Sequence, residues 1–317
     1  MRGLDIFCGG GGSSWGATAA GVTMVGAVDM CPIATDAYRA NFKSTHVVTG
    51  RLEHVALPKL KKQVGSIDIL LASPECTNHT CAKGAAPRNE ESRATALYAV
   101  QYARAFRPRW IVLENVVHMR PWSRYGELKR ELQDLGYHLA EQVLDASDYG
   151  VAQSRRRLFL IGDLKGPPSV VSRKRPGPRK GAKSILDRPG TWNSSPLFTD
   201  KRAEDTVARA HRAMAALGPD APFLMVYYGS DGSGGWQTLE RSLRTITTVD
   251  RFALVEPSTD GHRMRMLQVP ELQRAMGFDD TYQLEVGTRR DRVRILGNGV
   301  CPPVMSEVVA ALTRNAA

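Results

Sequence analysis

Short apolar runs alternate with amphipathic stretches along the first 160 residues of the chain. The runs predicted as strands are residues 3–7, 23–28, 67–72, 110–113, 138–144 and 158–162. Apolar positions recur at helical spacing in residues 33–42, 91–106 and 126–135. Strands that alternate with helices predict an α/β fold with a doubly wound, mostly parallel sheet. In such sheets, ligands bind beyond the carboxyl ends of the strands.

The pattern changes near residue 164, where proline, glycine and basic residues replace the alternation. A helix-like stretch follows at 203–217, then an apolar run at 223–228 and the glycine-rich segment GSDGSGG. Regular patterning returns after residue 245 and ends in a predicted helix at 303–314. We therefore predict a large domain formed by residues 1–163 and 246–317, with a small, loop-rich domain at 164–245.

The chain of 317 residues carries 43 Lys and Arg against 32 Asp and Glu, a formal net charge of +11. A basic surface that is merely solvated would show the same total. The cations, however, cluster at residues 155–157, 173–183 and 289–292, which favours a phosphate-bearing partner such as a nucleic acid. No run approaches the roughly 20 apolar residues that span a bilayer, and the five scattered cysteines form no disulfide framework. We expect a cytoplasmic protein.

A glycine-rich turn follows the first predicted strand in DIFCGGGGSSWGATAAG, residues 5–21. Glycines allow the backbone to approach a ligand closely, and the next strand ends in Asp29, an acidic residue placed to bind ribose hydroxyls. The motif is neither a dinucleotide fingerprint nor a phosphate loop. Four glycines are also compatible with a simple turn. Asp5 before the turn and Asp29 after it favour a nucleoside cofactor.

Cys76 lies just beyond the third predicted strand, in LLASPEC. It could be a packing residue, because free cysteine is often buried. A zinc site with His79 and Cys81 lacks a fourth ligand at standard spacing. A nucleophile would need a stabilised thiolate. The residue alone does not separate these three interpretations.

Two further polar groups occur at strand ends. Glu114 closes the apolar run IVLE, and Arg155 and Arg157 alternate as they lead into the strand at 158–162, so that they share one face. Each could be an ordinary surface charge. Together with Cys76 and the glycine turn they would lie at the ends of neighbouring strands, which favours one shared site.

In this order the motifs closely resemble those of the DNA cytosine-5 methyltransferase family. They are DIFCGGGG, SPEC, ENV, QSRRR, the insertion at 164–245, RTITT and GNGV, and they cover essentially the whole chain. The resemblance implies a Rossmann-like methyltransferase sheet with a target-recognition domain. It further implies methylation of cytosine C5 in duplex DNA, with S-adenosylmethionine as cofactor and without a metal.

The resemblance also assigns roles to residues of this chain. Cys76 would be the nucleophile that adds to C6, Glu114 would hold N3 and the exocyclic amine, and Arg157 would bind O2. Arg155 would help to hold the cysteine loop and the substrate. The residues expected around the cofactor are Asp5, Phe7, Gly9, Gly11, Asp29, Met30, Leu52, Asn298 and Val300.

Duplex DNA is the expected partner, bound by a monomer associated with the nucleoid. The residues expected to contact it are Lys83, Arg88, Arg173, Lys174, Arg175, Arg179, Lys180, Tyr228, Trp236 and Gln237. The clustered cations would meet phosphates, and Trp236 and Gln237 would read bases. Core packing is the alternative for the aromatic residues. A tRNA cytosine methyltransferase and an inert DNA-binding protein are the alternative functions.

The chain departs from the family pattern at four positions. Glu75 replaces the proline that usually precedes the nucleophile, and Thr77 replaces the glutamine that follows it. A carboxylate beside the thiol would raise the pKa of the cysteine and slow it. Arg51 stands where an acidic residue near the adenine is usual, and Met30 replaces an aromatic or apolar cover of the adenine.

Overall fold

The structure is a computed structural model that describes residues 1–75, 89–172, 177–227 and 234–314. Within these residues the chain forms two sheets. Helices cover the first sheet on both faces. The helices are α1 (Gly12–Ala19), α2 (Pro32–Asn41), α3 (Leu57–Val64), α4 (Glu90–Ala94), α5 (Tyr98–Phe106), α6 (Tyr125–Asp134), α7 (Glu204–Leu217), α8 (Val269–Met276), α9 (Arg289–Asn298) and α10 (Pro302–Thr313).

The first sheet has seven strands in the order β3-β2-β1-β4-β5-β7-β6. They are β1 (Arg2–Ile6), β2 (Thr23–Asp29), β3 (His46–Thr49), β4 (Ile69–Ala72), β5 (Trp110–Asn115), β6 (His138–Asp145) and β7 (Arg156–Asp163). Strands β1 to β5 pair in parallel, whereas β7 pairs antiparallel with both β5 and β6. The predicted fold class, a doubly wound and mostly parallel α/β sheet, is confirmed.

The central strands are apolar throughout because helices cover them on both sides. Every residue of β4 and β5 is buried, including Glu114 and Asn115 at the end of β5. A parallel strand that is buried on both faces has no polar face, which explains the unbroken runs ILLA and WIVL. A carboxylate at the end of such a strand is therefore exceptional.

The order of the strands reverses between β1 and β4. From β1 the chain proceeds outwards through β2 to β3, and it then returns to the other side of β1 to form β4 and β5. A crevice opens at such a switch point, beyond the carboxyl ends of the two strands. The glycine turn after β1 and the segment 73–75 after β4 both lie there.

The second sheet is antiparallel, with the order β10-β9-β11-β12-β8. Its strands are β8 (Ser195–Pro196), β9 (Phe223–Val226), β10 (Trp236–Thr238), β11 (Phe252–Ser258) and β12 (Gly261–Met266). Because β11 and β12 pair with β9 and β8, this sheet extends beyond the predicted domain boundary at residue 245. The division of the chain into two separate domains stays a prediction.

The second sheet packs against the rest of the protein through one of its faces. On β9, Phe223 and Met225 contact the α7 side, whereas Leu224 and Val226 join the large core cluster that contains α10 residues. The run FLMV is thus buried on both faces. A buried ion pair connects the second sheet to the helix α8. The two terminal nitrogens of Arg265 on β12 donate to the carboxylate of Glu271 on α8, each at 2.7 Å.

Within the described residues the predicted helices and strands occur close to their expected bounds, with one exception. The helix predicted at 91–106 is two helices, α4 and α5, joined by a short 3-10 turn at Thr95–Leu97. The elements that were not predicted are strands β3, β8, β10, β11 and β12 and helices α3, α8 and α9. The stretch Arg289–Thr313 is apolar enough to cross a membrane by length and composition alone, but it forms α9 and α10, and 67% of an apolar 18-residue window within it is buried.

Helices α1 and α10 pack closely because glycines face α10 and the turn before it. A Cβ atom on Gly16 would lie 2.3 Å from the carbonyl oxygen of Pro302. We expect Gly16→Ala to lower the free energy of unfolding by about 1–3 kcal/mol, because backbone must move to relieve the overlap. Gly126→Ala in α6 is the control, since its Cβ would meet only the end of the Arg130 side chain at 3.5 Å.

Urea denaturation of both variants measures this difference. Gly126→Ala should be neutral or stabilising by up to about 1 kcal/mol, since alanine favours the helix. Equal stability of the Gly16→Ala variant and the wild type would show that the two helices are not packed as described.

Candidate active site

One cavity of about 260 Å³ lies at the carboxyl edge of the first sheet, at the switch point. It is lined by the glycine turn, the ends of β2, β4 and β5, the start of β7 and the end of α9. The predicted cofactor-binding residues that line it are Phe7, Gly9, Asp29, Met30, Leu52, Asn298 and Val300. The predicted catalytic residues that line it are Glu114, Arg155 and Arg157.

The glycine turn presents its backbone to this cavity. Gly9 adopts φ +52°, and a Cβ atom there would meet nothing within 4 Å, so the space beside it is open to a ligand. Phe7 also adopts a positive φ of 57°, which is unfavourable for a residue with a side chain. Such strain is typical of functional sites and is held by the surrounding structure.

Asp29 is oriented by two backbone donors. One carboxylate oxygen accepts a hydrogen bond from Gly9 N at 2.9 Å, and the other accepts one from Cys31 N at 2.8 Å. Burial raises the pKa of Asp29, and these backbone bonds partly offset the effect. The carboxylate thus links the glycine turn to the end of β2 and lines the cavity.

Asp5 and Gly11, two of the residues predicted at the cofactor site, are not among the residues that line the cavity. The Asp5 side chain is fully buried; one of its oxygens accepts a 2.7 Å hydrogen bond from Ser14 Oγ, and Oδ1 has no partner. Burial raises the pKa of Asp5 to about 7. Gly11 caps α1 with φ +93° and lies against the rings of Tyr38 and Phe42. Both residues therefore hold the turn instead of lining the site.

Glu114 and Arg157 form an ion pair inside the cavity. Glu114 Oε1 lies 3.1 Å from Arg157 Nε, and the two side chains are only 7% and 14% exposed. The antiparallel pairing of β5 with β7 brings them together. Burial raises the pKa of Glu114, although Arg157 and Arg155 act in the opposite direction. The group is therefore more readily protonated than an exposed glutamate.

Arg155 is a buried tether between distant segments. Its guanidinium donates to the carbonyl oxygens of Ile246, Gly297 and Gly299 at 2.7–3.0 Å. Those residues belong to the motifs RTITT and GNGV, so Arg155 fixes the segment that carries Asn298 and Val300. A contact of Arg155 with the cysteine loop involves residues outside the described ranges, so that part of its expected role stays a prediction.

The predicted nucleophile, Cys76, lies outside the described residues. Two other cysteines are buried, and burial raises the pKa of Cys301 to about 11 and that of Cys8 as well. Such thiols are inert packing groups. Cys31 lines the cavity beside Met30. The residues of the alternative zinc site are also outside the description, and the described ranges contain no cluster of three metal-ligating side chains.

The side chains that line the cavity without having been expected from the sequence include Glu53, Tyr98 and Arg294. Glu53 follows Leu52 in a 3-10 turn and lies 3.2 Å from Arg51 Nη1. Backbone hydrogen bonding within the turn and then Arg51 lower the pKa of Glu53, which keeps it charged. Arg51 stands where an acidic residue is usual, and Glu53 places an acidic group close to that position. In the sequence, the only indication of this was an acidic residue two positions after Arg51.

The predicted contacts to nucleic acid have mixed outcomes. Arg179 forms an ion pair with Asp148: its Nε and Nη2 donate to Asp148 Oδ1 at 2.9 and 2.7 Å. Gln237 is 4% exposed, and its amide bonds the backbone of residues 241, 242 and 244. These bonds engage the side chain within the protein, and its contact with bases stays a prediction.

Trp236 is partly buried and packs on the α7 side of the second sheet, as the alternative of core packing supposed. Lys180 is exposed. Lys83, Arg88, Arg173, Lys174, Arg175 and Tyr228 lie outside the described residues, so their contacts stay predictions.

The sheet order and the cavity at its edge define an α/β methyltransferase fold. A solved structure from S. pombe, the Dnmt2 methyltransferase, aligns with a TM-score of 0.71 at 17% identity over 100% of this chain and 99% of that one. The chain belongs to the family described as C-5 cytosine-specific DNA methylase, whose model matches residues 1–314. This confirms the resemblance seen in the motifs.

Curated relatives match over part of their length. The Type II methyltransferase M.HgiDI of Herpetosiphon aurantiacus is 32% identical over 174 residues, which are 52% of this chain and 53% of that protein. The tRNA (cytosine(38)-C(5))-methyltransferase of Rattus norvegicus is 28% identical over 53% of this chain and 44% of that protein. The alignments thus cover about half of this chain and about half of the relatives' length.

The buried Asp5 makes stability depend on pH. Its pKa rises from an ordinary 3.8 to about 7 on folding, so the unfolded chain loses this proton first as the pH rises. Wild-type stability should therefore fall between about pH 4 and pH 7, by up to about 1.4 kcal/mol per pH unit. Asp5→Asn, which cannot ionise, should lack this loss.

Urea denaturation of both proteins at several pH values measures the difference. The stability of Asp5→Asn relative to wild type should increase with pH across this window and level off above it. A difference that is independent of pH would show that Asp5 is ionised in the folded protein throughout.

Proposed function

We propose that this protein methylates C5 of cytosine in duplex DNA, with S-adenosylmethionine as the methyl donor. The observation that carries the proposal is the Glu114–Arg157 pair, which lies in the same cavity as the glycine turn and Asp29. A site for a pyrimidine and a site for a nucleoside cofactor are thereby adjacent. Family membership supports the same reaction.

The residues at the glycine turn fit the cofactor. The open space at Gly9 allows an adenosine-bearing ligand to approach the backbone, and Asp29 offers carboxylate oxygens to ribose hydroxyls. Met30 is 58% exposed at the cavity and would cover the adenine. Bound S-adenosylmethionine would supply an electrophilic methyl group.

Glu114 and Arg157 fit a cytosine edge. A glutamate with a raised pKa donates a proton or a hydrogen bond to N3, and Arg157 donates to O2. Both act on the same side of the ring and withdraw electrons from it. This makes C6 more susceptible to a thiolate.

The covalent steps use Cys76 as the nucleophile. Its thiolate adds to C6, the C5–C6 electrons form a C4–C5 double bond, and N3 takes a proton from Glu114. C5 is then nucleophilic and would take the methyl group that bound S-adenosylmethionine supplies. A base removes the C5 proton, elimination of the thiolate restores the C5–C6 double bond, and N3 returns its proton to Glu114.

The target cytosine must leave the duplex for this reaction. Its C6 is inaccessible inside the base stack, and the carboxyl group of Glu114 is buried in the cavity, so the base must enter the protein. The net charge of +11 supports binding of the phosphate backbone around it.

RNA is the alternative substrate, and the similarity to a rat tRNA methyltransferase favours its inclusion in the test. The experiment measures incorporation of labelled methyl groups into duplex DNA and into tRNA, followed by bisulfite sequencing of the products. We expect 5-methylcytosine in DNA at defined sites. Methylation of tRNA alone would contradict DNA as the substrate, and methylation of neither would contradict the proposed activity.

Glu114→Gln tests the role of the raised pKa. Glutamine keeps the size of the side chain but supplies no acidic proton and leaves Arg157 without its anionic partner. We expect kcat to fall at least a hundredfold, with cofactor affinity within about twofold of wild type. In wild type, kcat should decline as rising pH deprotonates Glu114, and the variant should lack this alkaline limb.

Glu127→Gln on the surface of α6 is the control and should retain wild-type kcat. Steady-state kinetics across pH and calorimetry with the cofactor provide both readouts. A Glu114→Gln variant with wild-type kcat would remove Glu114 from the mechanism.

Asp29→Ala tests the cofactor site. Loss of a charge-assisted hydrogen bond costs about 1.5–3 kcal/mol, so the Kd for S-adenosylmethionine should rise roughly ten- to a hundredfold. Asp36→Ala, which removes an exposed carboxylate from the adjacent helix α2, should leave the Kd unchanged. Calorimetry that gives the same Kd for Asp29→Ala and wild type would place the ribose elsewhere.

A further inference from the structure

The segment that leads from β4 towards Cys76 is held at three successive residues. Ser73 Oγ lies 3.1 Å from Ser13 Oγ on α1, and the carbonyl oxygen of Pro74 accepts a 3.1 Å hydrogen bond from Asn115 Nδ2. Glu75 Oε2 accepts a 2.7 Å hydrogen bond from Ser92 Oγ. The first two contacts use the start of α1 and the end of β5, whereas the third reaches a different part of the chain.

Ser92 provides a firm anchor because its helix is fixed at the start. Ser92 lies on α4, where its backbone N–H donates to Asn89 Oδ1 at 2.9 Å. The neighbouring Glu90 accepts a 2.6 Å hydrogen bond from Trp122 Nε1, a residue that is only 2% exposed. The Glu75 carboxylate is thus bound to a helix that is itself tied to the core.

The Glu75–Ser92 bond connects the described chain on the two sides of residues 76–88. Glu75 directly precedes this segment, and Ser92 lies four residues after its end. The residue at position 75 stands directly before the nucleophile, where a proline would restrict the backbone through its ring. Glutamate has no ring that restricts the backbone. Its side-chain hydrogen bond to Ser92 restricts the backbone in a different way.

We propose that Glu75 is a positioning residue, which orients the backbone before Cys76 through its hydrogen bond with Ser92. The inference rests on the proposed function, because it assigns the chemistry to Cys76. The carboxylate of Glu75 acts by accepting a hydrogen bond from α4, and the reaction does not require its negative charge. Ser92, 17 residues away in the sequence, therefore shares the positioning role.

The competing account is purely electrostatic. A negative charge beside the thiol would raise the pKa of Cys76 and slow the enzyme, irrespective of Ser92. The two accounts predict opposite results for the same pair of variants. Glu75→Gln keeps an acceptor oxygen and removes the charge, whereas Ser92→Ala keeps the charge and removes the hydrogen bond.

The experiment measures kcat, KM and the pH profile of kcat for Glu75→Gln, Glu75→Ala and Ser92→Ala in the full chain. We expect Glu75→Ala and Ser92→Ala each to lower kcat by about fivefold or more, with KM for DNA and cofactor within about twofold. The double variant Glu75→Ala/Ser92→Ala should be no slower than either single variant, because both remove one bond. Glu75→Gln should retain most of the wild-type kcat and the wild-type pH profile.

Glu91→Ala is the matched control, since it removes an exposed carboxylate from the same helix without touching this bond. Its kcat should equal that of wild type, and thermal unfolding of all variants establishes that they are folded. A Ser92→Ala variant with wild-type kcat would overturn the proposal. So would a faster Glu75→Gln variant whose kcat rises at lower pH than that of wild type, because that result assigns the effect to charge.

Failure of the proposed function gives a different result from failure of this inference. If wild type transfers no methyl group to DNA or tRNA, the function is wrong. If wild type is active and the Glu75 and Ser92 variants behave independently, only the positioning role is wrong.

Discussion

A buried ion pair is the constraint on which the rest of the site depends. Glu114 is placed at the end of a strand that is covered on both faces, and a lone carboxylate there would be costly to ionise. Arg157 offsets that cost only because β7 runs antiparallel to β5 and brings its first residues to the end of that strand. Removing either partner would leave the other charge buried and unpaired. The change of strand direction at β7 is therefore part of the active-site design.

The other elements of the site are fixed relative to this pair. Arg155, two residues before Arg157, binds the carbonyl oxygens of the segments 246 and 297–299, so the start of β7 also positions Asn298 and Val300. Asn115, next to Glu114, holds Pro74. The chemistry thus rests on two adjacent strands that carry contacts to the segment before Cys76 and to the C-terminal motif.

Most of the first sheet could be predicted because its central strands are continuous apolar runs between turn signals. Strand β3, with the sequence HVVT, is short and only partly buried, so it carried little apolar signal. The extension of the second sheet beyond residue 245 depends on the pairing of β11 with β9, which local patterns do not show. At the site, strand ends located Asp29, Glu114 and Arg157. Local patterns did not show that Asp5 is fully buried or that the Gln237 side chain bonds to the backbone, because both depend on how distant segments pack.

The central claim is that this cavity supports covalent attack on cytosine by Cys76. The most direct measurement incubates the protein with S-adenosylmethionine and a duplex in which 5-fluorocytosine replaces the target base, then maps the DNA-linked peptide by mass spectrometry. Fluorine at C5 cannot leave as a proton does, so the adduct should persist through denaturation, and fragmentation of the linked peptide should place it on Cys76. An adduct on Cys8, Cys31, Cys81 or Cys301, or no adduct from a protein that methylates the unmodified duplex, would contradict the account.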